Sequence, residues 1–507
     1  MFSMIAFLVL VIACINFMNL STARSAKRAR EVGIRKVVGA NKSHLVRQFY
    51  GESIIFSFIA LILALVIVKL ALPAFSNMAG KEITLGVAGF WVLLLGLTCI
   101  ALFTGIVSGS YPALFLSAFK PVKVLSGTLS TGTSASRFRK ILVVFQFVLS
   151  VFLITGSIVV SKQLNFLKTR DIGYEKEHLL YFAMRGGLKD SYQPLKNELL
   201  KNSGILEVSG TQHPPSSFGS NSQGADWEGK DPDFKLLIGH NKIDYNYVKT
   251  LGIELKEGRG FSPEYPGDKK KNFIINEELL KIMKKDSAKG ERFSFIDCEG
   301  VIVGVMKNFH YYSVKYEIEP LVLVLEPGAI RYMVIRIPPG DISSSLDQVK
   351  QTWKRVVPGY PFEYRFVDED FDMMYRAEER TGKVMKSFTI LSIFIACLGL
   401  FGLASFAAEQ RFREIGIRKV LGATVPGITV MLCKEFLELV LLATIITLPI
   451  SYYAVSNWLR GYAYKIELDI LIFVTAAALV FFTALFTVSY QAIRAALENP
   501  VKSLKCQ

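Results

Sequence analysis

The apolar residues of this 507-residue chain fall in long blocks, not in the short runs of a soluble core. The blocks cover approximately 4–23, 52–75, 88–116, 141–162, 386–408, 431–457 and 467–491. Each is about 20 residues or longer with few or no central charges. A helix of that length crosses a hydrocarbon layer of roughly 30 Å with its backbone hydrogen bonds satisfied internally. The pattern therefore predicts seven spans. The sixth carries Lys434, Glu435 and Glu438 in its first turns and Pro449 inside it. The first is no secretory leader: no basic stretch precedes it and Arg24, Lys27, Arg28 and Arg30 follow it.

Between the fourth and fifth blocks the period changes. Residues 163–383 mix alternating runs with helical ones. Glu299–Val314 (EGVIVGVMKNFHYYSV) reads as a strand, a turn and a second strand, and Ile330–Ile337 as a strand. Ser343–Val357 has helical spacing. Residues 163–180 and 372–386 are expected to be helical stalks that continue the neighbouring spans. A region of about 220 residues holds one or two compact folds.

A repeat organises the blocks. Arg30–Ala40 (REVGIRKVVGA) returns as Arg413–Ala423 (REIGIRKVLGA), with 9 of 11 positions identical at an offset of 383. Ile12–Cys14 returns as Ile395–Cys397 at the same offset, and Glu52 has its counterpart in Glu435. Lys120–Leu125 (KPVKVL) returns as Asn499–Leu504 (NPVKSL) at an offset of 379. Four spans separate the copies. That number is even, so the copies are parallel repeats and not an inverted pair. The fold class is an α-helical polytopic membrane protein in two parallel repeats with an inserted α/β extracytoplasmic domain. The expected boundaries are 1–127 for the first repeat, 128–165 for a linker and the fourth span, 166–383 for the inserted domain with its stalks, and 384–507 for the second repeat.

Charge supplies the orientation. The net charge of +16 is concentrated after the first, third, fifth and seventh blocks. Residues 24–50 hold Arg24, Lys27, Arg28, Arg30, Arg35, Lys36, Lys42 and Arg47 against one acid, Glu31. Residues 117–140 hold Lys120, Lys123, Arg137, Arg139 and Lys140 and no acid. The positive-inside rule puts these segments, and both motif copies, in the cytoplasm. The region 163–383 then lies outside. Topology accounts for the basic charge, so nucleic acid is not an expected partner.

The motif has helical spacing. Ile34, Val37 and Val38 share one face, and Glu31–Arg35 and Glu414–Arg418 are i, i+4 pairs in the favourable order. Gly39 and Gly422 suit a helix end, and Asn41 and Thr424 suit the caps of a second helix. The expectation is a short amphipathic helix at the inner membrane surface, a turn, and a helix leading into the next span. A basic helix resting on anionic lipid would explain the charge. It would not explain an ordered string kept in both copies, because lipid does not read sequence.

These paired strings resemble the signature of the FtsX-like permease family of the MacB type, membrane subunits of ATP-binding-cassette systems. The resemblance implies an ATPase-coupling element in each copy: Arg30, Glu31, Gly33, Ile34, Arg35, Lys36 and Gly39, then Arg413, Glu414, Gly416, Ile417, Arg418, Lys419 and Gly422. It adds a cytoplasmic tail motif, Pro121, Val122 and Lys123 with Pro500, Val501 and Lys502. It implies a MacB-like periplasmic core domain that includes the GVMKNFH turn and Pro361–Phe371. It also implies a partner ATPase in two copies, which would bind the ATP, a periplasmic adaptor or outer-membrane partner, and the bacterial inner membrane as location. In the family a further span and an extracytoplasmic domain precede each three-span unit. The second unit has both and the first has neither, so an amino-terminal truncation is expected.

Candidate chemistry is sparse. There is no G-x-x-x-x-G-K-[ST] string, hence no P-loop in this sequence. His44, His178, His213, His240 and His310 lack zinc-type spacing, and His310 beside Phe309 reads as a structural turn residue. Ser117-Ala-Phe-Lys120 fits S-x-x-K without the companion β-lactamase motifs. Of the six cysteines only Cys298 lies clearly outside, so no disulfide is expected there. No catalytic residue, metal site or cofactor of its own is expected. Two functions remain. One is a permease subunit that turns ATP-driven dimerisation of a partner into movement of the outer domain, for export or extraction of a substrate. The other is a signalling scaffold that controls a periplasmic enzyme such as a cell-wall hydrolase.

Overall fold

A computed structural model describes residues 2–38, 41–80, 87–117, 133–184, 186–269 and 271–497. In chain order the first four helices are α1 (Phe2–Val37), α2 (Lys42–Ala79), α3 (Val87–Ser117) and α4 (Thr133–Thr169). Strands β1 (Leu179–Ala183), β2 (Glu207–Thr211), β3 (Asn221–Ser222), β4 (Asp226–Trp227), β5 (Ile238–Ile243) and β6 (Leu255–Gly258) follow, with α5 (Tyr192–Leu199) and α6 (Tyr247–Leu251) among them. Next come β7 (Phe273–Asn276), α7 (Glu277–Ile282), β8 (Arg292–Phe295), β9 (Cys298–Met306), β10 (Leu321–Leu325), β11 (Tyr332–Arg336), α8 (Ile342–Val356) and β12 (Arg365–Phe366). The chain ends with α9 (Val367–Gln410), α10 (Phe412–Val420), α11 (Val425–Leu459) and α12 (Ile470–Leu497).

Two compact units result. One spans Met1–Gln163, Glu378–Leu459 and Glu467–Gln507; the other spans Leu164–Ala377 with Arg460–Ile466. Among the described residues seven helices are long and apolar enough to cross a membrane, and they are the seven read from the sequence. The sixth, α11, contains Pro449 and its first turns include Glu435.

The membrane unit packs through small residues. Ala443, Ala476, Ala484 and Ala492 are buried with Phe147 and Val151 of α4 and Ala396 and Leu400 of α9. Without a hydrophobic drive inside lipid, close backbone approach supplies the contact energy. The two repeats meet where α1 crosses α9. Asn16 Nδ2 donates to the Ile395 carbonyl at 2.5 Å, and a Cβ at Gly399 would overlap the Asn16 side chain. Asn16 and Gly399 are 383 positions apart, so each is the other's repeat position.

The α/β unit holds one twelve-stranded sheet in the order β12-β1-β11-β2-β5-β10-β7-β9-β8-β4, with β3 beside β5 and β6 beside β9. β10 is parallel to β5, and β7 to β9; the other ladders are antiparallel. All five residues of β10 are buried, as its unbroken apolar run requires of a strand covered on both faces. Helix α8 sets Val349 and Trp353 in a core with Leu180, Phe182, Val208 and Met333. A second core gathers Tyr174, Tyr247, Phe309 and Leu323.

Three expectations need correction. The second strand of Glu299–Val314 does not form: β9 ends at Met306, and the chain turns so that Phe309 and Tyr311 enter the core. There the His310 N–H bonds to the Ile172 carbonyl at 2.7 Å in place of a ladder partner. The first stalk ends at Thr169, well before residue 180. The second begins at Val367, five residues earlier than expected, because Asp368, Glu369 and Asp370 favour a helix N-terminus.

Candidate functional site

In the second motif copy, α9 stops at Gln410 and the string forms the separate helix α10. Ile415 is the inward anchor, at 3% exposure, in the core with Ile428 and Leu432. Gly416 is buried beside it. Glu414 and Arg418 form the i, i+4 ion pair at 2.7 Å. Lys419 Nζ donates to the Ala496 carbonyl at 2.7 Å, which ties α10 to the end of α12. Arg411, at the bend, pairs with Glu435 at 2.8 Å, and Lys140 reaches the same carboxylate at 2.9 Å.

Helix α10 ends as the sequence requires. Gly422 has φ +92°, its N–H bonds to the Lys419 carbonyl, and the Ala423 N–H bonds to the Arg418 carbonyl. These two bonds are the Schellman arrangement, in which a left-handed residue closes the helix. Thr424 Oγ1 then accepts from the Gly427 N–H at 3.4 Å at the start of α11.

The first copy differs in its helix and in its cap. Helix α1 runs without a break from Phe2 to Val37, so the string is the end of the span helix and not a separate surface helix. This corrects the expected helix–turn–helix picture for that copy. Arg30, Glu31 and Gly33 lie on α1, while Gly39 lies outside the described residues. Val32 is the anchor, at 3% exposure, with Leu45, Phe49 and Ala113. Asn41 stands at the N-cap of α2 with an extended backbone, but its side chain makes no capping bond. Partial burial, with Lys42 nearby, pushes the Lys36 ammonium below its usual pKa.

Compared by repeat position, the copies share the placement of one arginine and of the exposed apolar residues. Arg35 Nη1 donates to Gln48 Oε1 at 2.9 Å. Arg418 Nη1 points at Met431 Sδ, which is the position of Gln48 plus 383. Ile34, Val37 and Val38 are 50, 61 and 83% exposed; Ile417, Val420 and Leu421 are 51, 66 and 80% exposed. Each copy thus turns one apolar residue inward and three outward, with the basic pair beside them. Sequence reading missed Gln48 and Met431, because their side chains differ and only their geometry is shared. The tail motif, Pro121, Val122 and Lys123 with Pro500, Val501 and Lys502, lies outside the described residues. No group of three or more His, Cys, Asp or Glu residues that could hold a metal is found among the described residues.

Residues 3–114 and 386–500 both match the family model described as FtsX-like permease C-terminal. Both membrane repeats are FtsX-like permease domains. The protein is a multi-pass membrane protein with an inserted α/β domain. The macrolide export ATP-binding/permease protein MacB of Bdellovibrio bacteriovorus is 32% identical over 124 residues, which is 24% of this chain and 18% of that protein. The pyoverdine export ATP-binding/permease protein PvdT of Pseudomonas putida is 31% identical over 126 residues, 25% of this chain and 18% of that protein. The chain therefore spans under a fifth of the length of these relatives through the matched FtsX-like segment. Among solved structures, the periplasmic region of MacB from Actinobacillus actinomycetemcomitans is 14% identical at a TM-score of 0.30, covering 41% of this chain and 97% of that one.

Proposed function

We propose that this FtsX-like chain is the membrane subunit of an ABC transporter whose ATPase is a separate polypeptide. The observation that carries this reading is the matched pair of motif copies. In each, three apolar side chains stand exposed beside a basic pair, held from behind by a buried anchor. Apolar residues presented this way on a built scaffold suit a protein partner. A nucleotide-sandwich ATPase dimer offers two docking surfaces, so one chain would bind two ATPase subunits, one at each copy.

The positive-inside distribution supports a cytoplasmic position for both copies and a periplasmic one for the α/β domain, in the inner membrane. ATP would be bound and hydrolysed by the partner, and this chain would transmit the motion to its periplasmic domain. Named relatives export macrolides and pyoverdine. We infer export or extraction of a substrate as the use of that motion, with a periplasmic adaptor or outer-membrane partner completing the path.

The test is charge reversal at Arg35, Lys36, Arg418 and Lys419 together, followed by co-purification with the ATPase encoded alongside. Arg35 and Arg418 are exposed and contribute about 0–1 kcal/mol each to folding. Lys36 and Lys419 are half-buried and Lys419 holds the Ala496 carbonyl, so the variant's thermal midpoint in detergent is compared with the parent's before a loss of docking is read. Truncating a charge pair at an interface costs about 2–5 kcal/mol, so docking should be lost. Full recovery of the ATPase with the quadruple variant would sink the docking role.

A further inference from the structure

A cleft of about 480 Å³ opens in the α/β domain between β1 and the chain that leads into β12. Strand β1 pairs with β11 along its whole length, Leu179 to Ala183. On its other side it pairs with β12 only at Leu180 and Tyr181. Had that ladder continued, Phe182 would face Tyr364 and Ala183 would face Glu363. These four residues line the cleft instead. The two chains part there, and the gap between them is the cleft.

The main chain of β1 is oriented for use. Met184 N–H bonds to the Arg331 carbonyl, and the Ile337 N–H bonds to the His178 carbonyl. In an antiparallel strand successive residues alternate their bonding direction. The even-numbered residues therefore face β11, and Tyr181 and Ala183 face the other way. Strand β12 takes Tyr181. Ala183 presents its N–H and C=O to the cleft. An unpaired sheet edge is a template for a further strand.

The walls are aromatic and held in place. Trp353 donates from Nε1 to the Tyr360 carbonyl at 3.0 Å and packs edge-on against Phe182 at 4.8 Å. Tyr364 stacks on Phe362 at 5.2 Å. Tyr360 and Tyr364 keep exposed rings, at 45 and 37%. Glu363 and Arg365 carry opposite charges at the lining, and Arg365 also faces the Asp370 carboxylate at 3.8 Å, so the cleft offers no unpaired positive charge to an acidic ligand. An aromatic pocket set against a free strand edge is the arrangement in which main-chain bonds give affinity and a side-chain pocket gives selectivity.

We propose that this cleft is a strand-addition site for an extended, uncharged peptide segment of a partner protein that bears an aromatic or bulky aliphatic side chain. The proposal does not depend on ATPase docking, since every residue it uses lies in the α/β domain.

The test uses the full chain in detergent and labelled, capped pentapeptides. Each alternates threonine and valine around one central phenylalanine, tyrosine, leucine or isoleucine. Fluorescence anisotropy should show saturable binding of at least one. N-methylation of alternate amides should weaken it on the order of tenfold or more, because it removes the main-chain donors. Tyr360→Ala and Tyr364→Ala should each weaken it on the order of tenfold, as loss of an aromatic anchor does. No saturable binding by any of the four overturns the proposal. So does equal binding of the N-methylated peptides, or competition by N-acetylphenylalanine amide at the same concentration as the peptide, which would mark a ring pocket without strand pairing. Undiminished binding by both tyrosine variants places the peptide elsewhere and also overturns it. If a variant misfolds, the N-methyl comparison on the unaltered chain still decides.

Discussion

His310 shows how surroundings fix the chemistry of one residue. Its ring sits 5.1 Å from that of Tyr464, edge to face, and Arg170 lies 3.8 Å over the same tyrosine. Burial first, and the Arg170 charge second, push its pKa from 6.5 down to about 4, against a smaller opposite effect of Asp171. The unfolded chain therefore binds a proton at a higher pH than the folded one. Its contribution to stability is complete above about pH 6.5 and is lost as pH falls toward about 4. Burial shifts His213 and His240 in the same direction. The denaturant midpoint of the α/β domain should thus be lower at pH 5 than at pH 7. His310→Gln should shrink that difference without abolishing it; an unchanged difference would refute the assignment. The reading of His310 as a turn residue was legible from its place in the GVMKNFH string. Its neutral state was not, because Tyr464 and Arg170 are distant in sequence.

At the scale of elements, one string of residues behaves in two ways. In the first copy it prolongs α1, and in the second it is cut off as α10 by a bend at Arg411. The bend coincides with the Arg411–Glu435–Lys140 ion cluster, in which the carboxylate of α11 holds both the first turns of α4 and the start of α10. The helix end is marked in the sequence by the tenth residue of each string, Gly39 and Gly422. At Gly422 a side chain would meet no atom within 4 Å, so the whole cost of adding one is the left-handed backbone. Gly422→Ala should destabilise the membrane unit by about 1–2 kcal/mol, read as a fall in its thermal midpoint in detergent. A variant as stable as the parent would show that the turn relaxes to another form.

For the whole molecule, the decisive prediction is sidedness. Single cysteines placed near Arg35 and near Gly260, after removal of native thiols, should label differently in intact cells. Gly260 should react with an impermeant reagent from outside and Arg35 only after permeabilisation. Equal labelling of both from outside would overturn the topology. This prediction rests on the distribution of Lys and Arg, a property of the whole chain that no single motif carries.

The seven spans, the repeat and the helix end at Gly422 were legible in the sequence alone. Each of these is written in local composition or in identity between two stretches, so no distant contact is needed to read it. Tertiary structure decided the rest. Val32 and Ile415 turn inward only because Leu45 and Phe49, or Ile428 and Leu432, come to meet them. The strand expected after Met306 gave way because the core took Phe309 and Tyr311 and the backbone found Ile172. The sheet order and the parting of β1 from β12 join residues some 180 positions apart. Hydrophobic period tells a residue to be buried, but which partner buries it is settled only when the whole chain has folded.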